Sequence, residues 1–162
     1  MLTALFEYKR WANEELLALG AESESKLNAD DWRTFVRIVN HTHVVDRIFA
    51  GHLAGIEHGF AATNTEATPT LHELRQAVRA SDAWYLDYVA GLTAEHLQQV
   101  IGFRFTDGET GRMSRHEILQ HLIVHGAYHR GAAGRILVVQ GITPPRDSLS
   151  VFWHRTEPER RN

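Results

Sequence analysis

The stretch between Ser114 and Gly141 constrains this chain more than any other. Ser114-Arg115-His116-Glu117 has the capping-box pattern, in which a hydroxyl and a carboxylate three residues on satisfy each other's orphan backbone donors, so a helix opens there. It should reach about Gln140 before Gly141 stops it, and Pro144-Pro145 forbids its continuation. Along it stand His121, His125 and His129, four residues apart. Positions i and i+4 on a helix differ by only about 40° of rotation, so neighbouring imidazoles lie one above the other and can grip one ion. Over two steps the stripe drifts by about 80°, so one pair binds and the third ring supports or packs. Ile118, Leu122, Ile136 and Leu137 put the apolar face beside this ladder, which leaves the rings partly buried and in need of partners. Hydrogen bonds inside a core would also satisfy them. A second histidine-rich stretch, Asn40-His41-Thr42-His43, favours a metal instead. Gly126, Gly131 and Gly134 each weaken the helix, which points to close approach of another backbone, a crossing helix or a ligand.

Three more helices precede this one. Leu5, Tyr8, Trp11, Ala12, Leu16 and Leu19 recur at helical spacing from Thr3 to about Gly20, a natural C-terminal stop. Asn28 and Asp30 are capping candidates for a longer helix marked by Trp32, Phe35, Val36, Val39, Val44, Ile48, Phe49 and Leu53, ending near Gly55 or Gly59. Ala61 to Pro69 reads as a connecting loop. Thr70-Leu71-His72-Glu73 is another capping box and starts a third helix through Leu74, Val78, Trp84, Tyr85, Tyr88 and Val89 to about Gly91. Ile101 to Thr106 alternates and Asp107-Gly108 makes a turn, which predicts a short hairpin or irregular arm before the last long helix. Leu149, Val151, Phe152 and Trp153 should pack back across the bundle, with residues 157–162 a frayed tail. The pattern predicts an all-α four-helix bundle, a single domain over residues 1–156.

Composition narrows the chemistry. Among 162 residues there is no cysteine, so disulfides, thiolate metal sites and a protein-borne sulfur nucleophile are excluded, and any metal is held by nitrogen and oxygen. Eleven histidines, against that background, favour an imidazole site. A net charge of -3 without a dense basic block gives nucleic acid little to bind. No apolar run approaches the ~20 residues needed to cross a bilayer, and the opening residues show no signal-peptide pattern, so a cytoplasmic location and no membrane partner are expected.

The third ligand should come from the second helix. His41 and His43 differ by about 200° there, so at most one faces the core. His41 shares a stripe with Val45, Ile48 and His52 and therefore faces inward, with His52 a weaker alternative, while His43 should face solvent or a partner. His58, His72, His96, His116 and His154 are read as surface residues.

These residues resemble a known family. His125-Gly126-Ala127-Tyr128-His129-Arg130-Gly131 looks like the C-terminal metal motif of the DinB/YfiT-like metalloenzymes, and Asn40 to Phe49 is similar to their second-helix ligand segment. Tyr8-Lys9-Arg10-Trp11-Ala12-Asn13, and Pro144-Pro145 followed by Asp147 and an aromatic tail, also fit, so the resemblance covers nearly the whole chain. It implies an up-down-down-up bundle, homodimeric, with a divalent metal on His41, His125 and His129 and with His121 in a supporting role. Ala132 departs from the pattern, since many members carry Gln after the His-Arg-Gly run, which removes a polar group beside the site. Related families are thiol-dependent transferases and a thiol-dependent isomerase.

Three neutral imidazoles would leave an open coordination position, the catalytic rather than the structural pattern. The leading expectation is a small-molecule substrate, with a low-molecular-weight thiol activated on zinc or nickel. Hydrolysis, with His121 as base, and a non-catalytic metal-stabilised bundle acting in stress response are the alternatives. No catalytic side chain is assigned. Arg130 is expected to pair with Asp46 on the facing helix or to bind a substrate carboxylate, and Tyr128 to pack in the bundle or donate to an oxyanion.

Overall fold

The computed structural model describes residues 1–161; Asn162, the last residue of the expected tail, lies outside them. Four long helices, α1 (Leu2–Ser23), α2 (Ala29–Ala54), α3 (Leu71–Ala90) and, later, α5 (Arg115–Val139), make an all-α bundle. Between α3 and α5 come a short α4 (Ala94–Gln98) and a hairpin of β1 (Val100–Arg104) and β2 (Thr110–Ser114), and α6 (Leu149–Thr156) follows α5. No helix among the described residues is long and apolar enough to cross a membrane.

The helix boundaries follow local chemistry. Asn28 caps α2 by accepting from the Asp31 N–H, and Thr70 and Ser114 form complete capping boxes with Glu73 and Glu117. Gly55 ends α2 in the left-handed conformation, at φ 69°, which a glycine adopts without steric cost. Gly20 does not end α1. The helix runs on to Ser23, because Gly20 is where α1 meets α2: an added Cβ would lie 2.8 Å from the Phe35 ring. Gly134 similarly admits Pro144, 3.3 Å from a built Cβ.

Cross-helix pairs give the topology. Lys9 meets Asp82 and Phe6 stacks on Tyr85, whereas Glu14 meets Arg75 and Arg79, so α1 and α3 are antiparallel. His43 meets Ser81 and Tyr85 donates to the Asp46 carbonyl, so α2 and α3 are parallel. Arg115 reaches the Leu53 carbonyl while His125 and His129 meet His41, so α2 and α5 are antiparallel. The order is up-down-down-up. Each of α1 and α2 packs between α3 and α5.

One core cluster, around Phe6, Phe49, Tyr85, Ile118 and Leu122, fills the end of the bundle beneath the hairpin; another, around Leu17, Phe35, Leu74 and Leu137, fills the other end. On α1, Tyr8, Ala12 and Leu16 of the expected stripe are buried, but the buried face is wider and also takes in Phe6, Lys9, Asn13, Leu17 and Gly20, while Leu5, Trp11 and Leu19 are only partly covered. The tail packs back as expected, with Phe152 buried against Tyr8 and Ala12. Phe103 is buried between Phe49 and His52 and anchors the hairpin to α2.

Candidate metal centre

Halfway along the bundle, α2 and α5 bring three imidazoles to one place. The His41 ring lies 5.2 Å from that of His125 and 4.7 Å from that of His129, and the two α5 rings are 4.4 Å apart, centroid to centroid. His41 Nε2 and His125 Nε2 are 3.3 Å apart. Ligand nitrogens of all three fall within 4.8 Å of one another, and no other group of three or more possible ligands converges so closely among the described residues. His121, the first rung of the ladder, is 5.3 Å from His125 and turns instead toward Phe49, also at 5.3 Å. The 40° drift per rung thus separates the ladder as expected, with the second and third rungs meeting His41.

His41 is oriented from behind. Its Nδ1 lies 2.8 Å from the Thr63 carbonyl, which can only accept, so Nδ1 carries the proton and Nε2 presents its lone pair. The loop that supplies Thr63 is tied to α2 one residue earlier. Buried Asn40 donates to Asn64 and to Thr65 Oγ1, Asn64 donates to the Arg37 carbonyl, and Arg37 donates to the Thr65 carbonyl at 2.6 Å. The segment read only as a connection therefore sets the tautomer and aim of one ring.

The electrostatics suit coordination. Burial, helped by the neighbouring imidazoles, pushes His125 down to about 3, and burial with His41 lowers His129. These two rings are neutral near pH 7 and keep their lone pairs. His125 Nδ1 is buried with no hydrogen-bond partner. A divalent ion that prefers imidazole nitrogen fits this donor set, held by His41, His125 and His129 with room for a further ligand.

A cavity of about 340 Å³ opens beside His41 and His125, and His52, His121 and Thr63 also line it. A larger groove of about 890 Å³ runs between α1 and α6, around Trp11, Glu14 and Trp153, and includes none of these histidines. Of these two, the smaller cavity is the one that reaches the cluster, at His41 and His125.

Other sequence expectations are corrected. His43 does not face solvent: it is largely buried toward α3, with Nδ1 3.4 Å from Ser81 Oγ, and burial lowers it to about 4. Since α2 packs against both α3 and α5, residues about 200° apart on it are both covered. Arg130 pairs with Asp147 at 2.7 Å rather than with Asp46, and also donates to Asn13. Asp46 is taken by Lys9. Tyr128 is 73% exposed, so it does not pack in the bundle; its ring stands edge-on to His129.

A buried ionic network, not foreshadowed by helical periodicity, lies deeper in the bundle. Lys9, with no exposed surface, donates to Asp46 at 2.7 Å and to Asp82 at 2.9 Å, and Asn13 donates to Asp82. Burial pulls the Lys9 ammonium down, yet the two carboxylates outweigh it and hold it above its ordinary value. Asn13 and Tyr8 both meet Arg130, and Tyr8 and Arg130 both bond Asp147; burial and that carboxylate push the Tyr8 hydroxyl up to about 12. Gly126 makes room for this network: a built Cβ would lie 3.1 Å from Arg130 Nη1 and 3.6 Å from Lys9 Cε. The available signal was Lys9 and Asn13 four apart, on a helix whose flanking Phe6 and Leu17 belong to the core.

Searches among curated proteins and among solved structures return no match. Comparison with protein families does, and the matched region, residues 1–161, takes in the opening network segment, the three convergent imidazoles and the aromatic tail. The chain belongs to the DinB family.

Proposed function

We propose that His41, His125 and His129 hold a divalent metal ion, zinc or nickel, and that the protein is a metal-dependent enzyme transferring a low-molecular-weight thiol to an electrophile. The observation that carries this reading is the convergence of three imidazoles from two helices, ligand nitrogens within 4.8 Å, beside a cavity rather than inside a closed core. Bound there, such an ion supplies the Lewis acidity that lowers the pKa of a thiol or water by several units. The Thr63 carbonyl holds His41 in the ligating tautomer, and Asn40 holds the loop that bears it. The thiol must come from outside, because the chain has no cysteine.

His121 lines the same cavity and can take a proton there, an observation that favours metal-dependent hydrolysis as the second reading. Elemental analysis of the purified protein, followed by thiol titration of a cobalt-substituted form, separates the possibilities. One ion per chain and a thiol-dependent change in the cobalt spectrum are expected. An unchanged spectrum with every thiol tried would sink the transferase reading, and ester hydrolysis lost in His121→Ala would establish the second.

A further inference from the structure

The cavity beside His41 and His125 has an unusual lining for a space next to a candidate metal centre. Its floor is Val45, Ile48 and Phe49 on α2, and its roof is Phe105, Thr106 and Met113 on the hairpin. No Asp, Glu, Lys or Arg lines it. A charged group entering such a space loses water and meets no carboxylate, ammonium or guanidinium in return. An aromatic or aliphatic group gains contact on both sides.

The roof is positioned rather than loose. Phe103 is buried and stacks on His52 at 5.0 Å, which fixes β1 to α2, and Phe105 packs edge-on against Phe103 at the same distance. Gly111, on the paired strand, lets both rings sit there: a built Cβ would lie 2.7 Å from Phe103 and 2.9 Å from Phe105. About 340 Å³ is at the small end of ligand cavities, enough for one or two fused rings.

We infer that this cavity selects a substrate whose body is uncharged and apolar, of about the size of one or two aromatic rings, and that the hairpin residues Phe105 and Thr106 set that selectivity. The inference rests on the reading of the three-imidazole site as the reaction centre. It assigns the electrophile's body to the cavity and excludes dicarboxylates and other multiply charged substrates from it.

Ligand-observed fluorine NMR on the purified, metal-loaded protein tests this with three probes of similar size: 4-fluoroanisole, 4-fluorobenzenesulfonate and 4-fluorobenzylammonium. The neutral probe should bind at least tenfold more tightly than either ion. Thr106→Trp, at a partly exposed hairpin position, should fill the cavity and abolish that binding with metal content unchanged. Phe105→Arg should shift preference toward the sulfonate. Equal or tighter binding of either ion to the unaltered protein would overturn the inference, as would neutral-probe binding unaffected by Thr106→Trp. These affinities do not depend on any thiol reaching the metal, so a silent cobalt spectrum would remove the transferase reading while leaving this selectivity to stand or fall on its own.

Discussion

His129 and Arg130 are consecutive on α5, yet they serve two polar regions of opposite character. His129 turns to the groove with α2, where imidazole nitrogens converge on one another and His41 is held from behind by the Thr63 carbonyl. Arg130, about 100° away, turns to the interior, where opposite charges meet: Arg130 with Asp147, and Lys9 with Asp46 and Asp82. The inner network pairs each of its cations with a carboxylate and ties α1, α2, α3 and α5 together, leaving Asp46 Oδ1 as its one buried oxygen without a hydrogen bond. The histidine cluster brings imidazole nitrogens together without a charged side chain among them, the donor set that the proposed metal would use. Polar groups facing each other inside one bundle thus divide into those that pair charges within the fold and those we propose hold an ion.

The strongest way to break the comparison is to remove Lys9. Lys9→Met leaves two buried carboxylates without their cation and should cost about 3–5 kcal/mol, read by urea denaturation of the metal-free protein. If that loss were below about 1 kcal/mol, the inner network would not be the structural partner in the comparison.

Removing a ligand should do the converse. His41→Ala, His125→Ala and His129→Ala should each lower metal affinity by about a hundredfold or more, near 2.7 kcal/mol, with a smaller change in metal-free stability. His121→Ala and His43→Ala should leave metal content intact in the same elemental assay. Should His121→Ala prove as damaging as His125→Ala, the ladder register is wrong.

Acid and alkali should separate the two regions without mutation. His43 and His125 titrate in the fold near 4 and 3, below their ordinary 6.5, so the folded state binds fewer protons than the unfolded one. Their neutral forms stabilise fully above about 6.5, and that stability is lost as pH falls, at about 1.4 kcal/mol per pH unit for His43 alone. Lys9 lies above its ordinary 10.5, so its contribution is full below that value and is lost as pH rises through the folded pKa. Chemical denaturation of the metal-free protein across pH should therefore show an acid limb and a separate alkaline one. Lys9→Met should shrink the alkaline limb, to which the raised Tyr8 hydroxyl also contributes, and retain the acid limb.

The smallest expected effect sharpens how the site is supported. Asn40→Ala frees the loop carrying Thr63 and should weaken metal binding by about tenfold through His41 alone. An unchanged affinity would mean that the Thr63 carbonyl is held by the rest of the loop.

Much of this was legible along the chain. The capping boxes at Thr70 and Ser114, the Asn28 cap and the glycine stops at Gly55 and Gly91 come from chemistry within a few residues, and each lies where it was expected. The same is true of the hairpin turn at Asp107-Gly108. The convergence of His41 with His125 and His129 was anticipated from spacing and family likeness together. Three other features were not readable: the burial of His43, the choice of Asp147 over Asp46 by Arg130, and the covering of the inner face of α1 around Lys9 and Asn13. Periodicity reports a side chain's angle about its own helix axis. It does not report how many neighbours surround that helix or which charge stands opposite.

The sequence by itself determined that this chain makes capped amphipathic helices, that its chemistry rests on nitrogen and oxygen, and that α5 carries imidazoles in one stripe. Helical rotation per residue and cap hydrogen bonds are local, so they act before any long-range contact forms. Tertiary structure alone decided which carboxylates neutralise Lys9, that His43 is covered, and that a cavity without charged side chains lies under the hairpin. Those outcomes depend on groups far apart in sequence, such as Lys9 with Asp82 or Thr63 with His41, whose pairing is set by helix packing and by the penalty for burying a polar group without a partner.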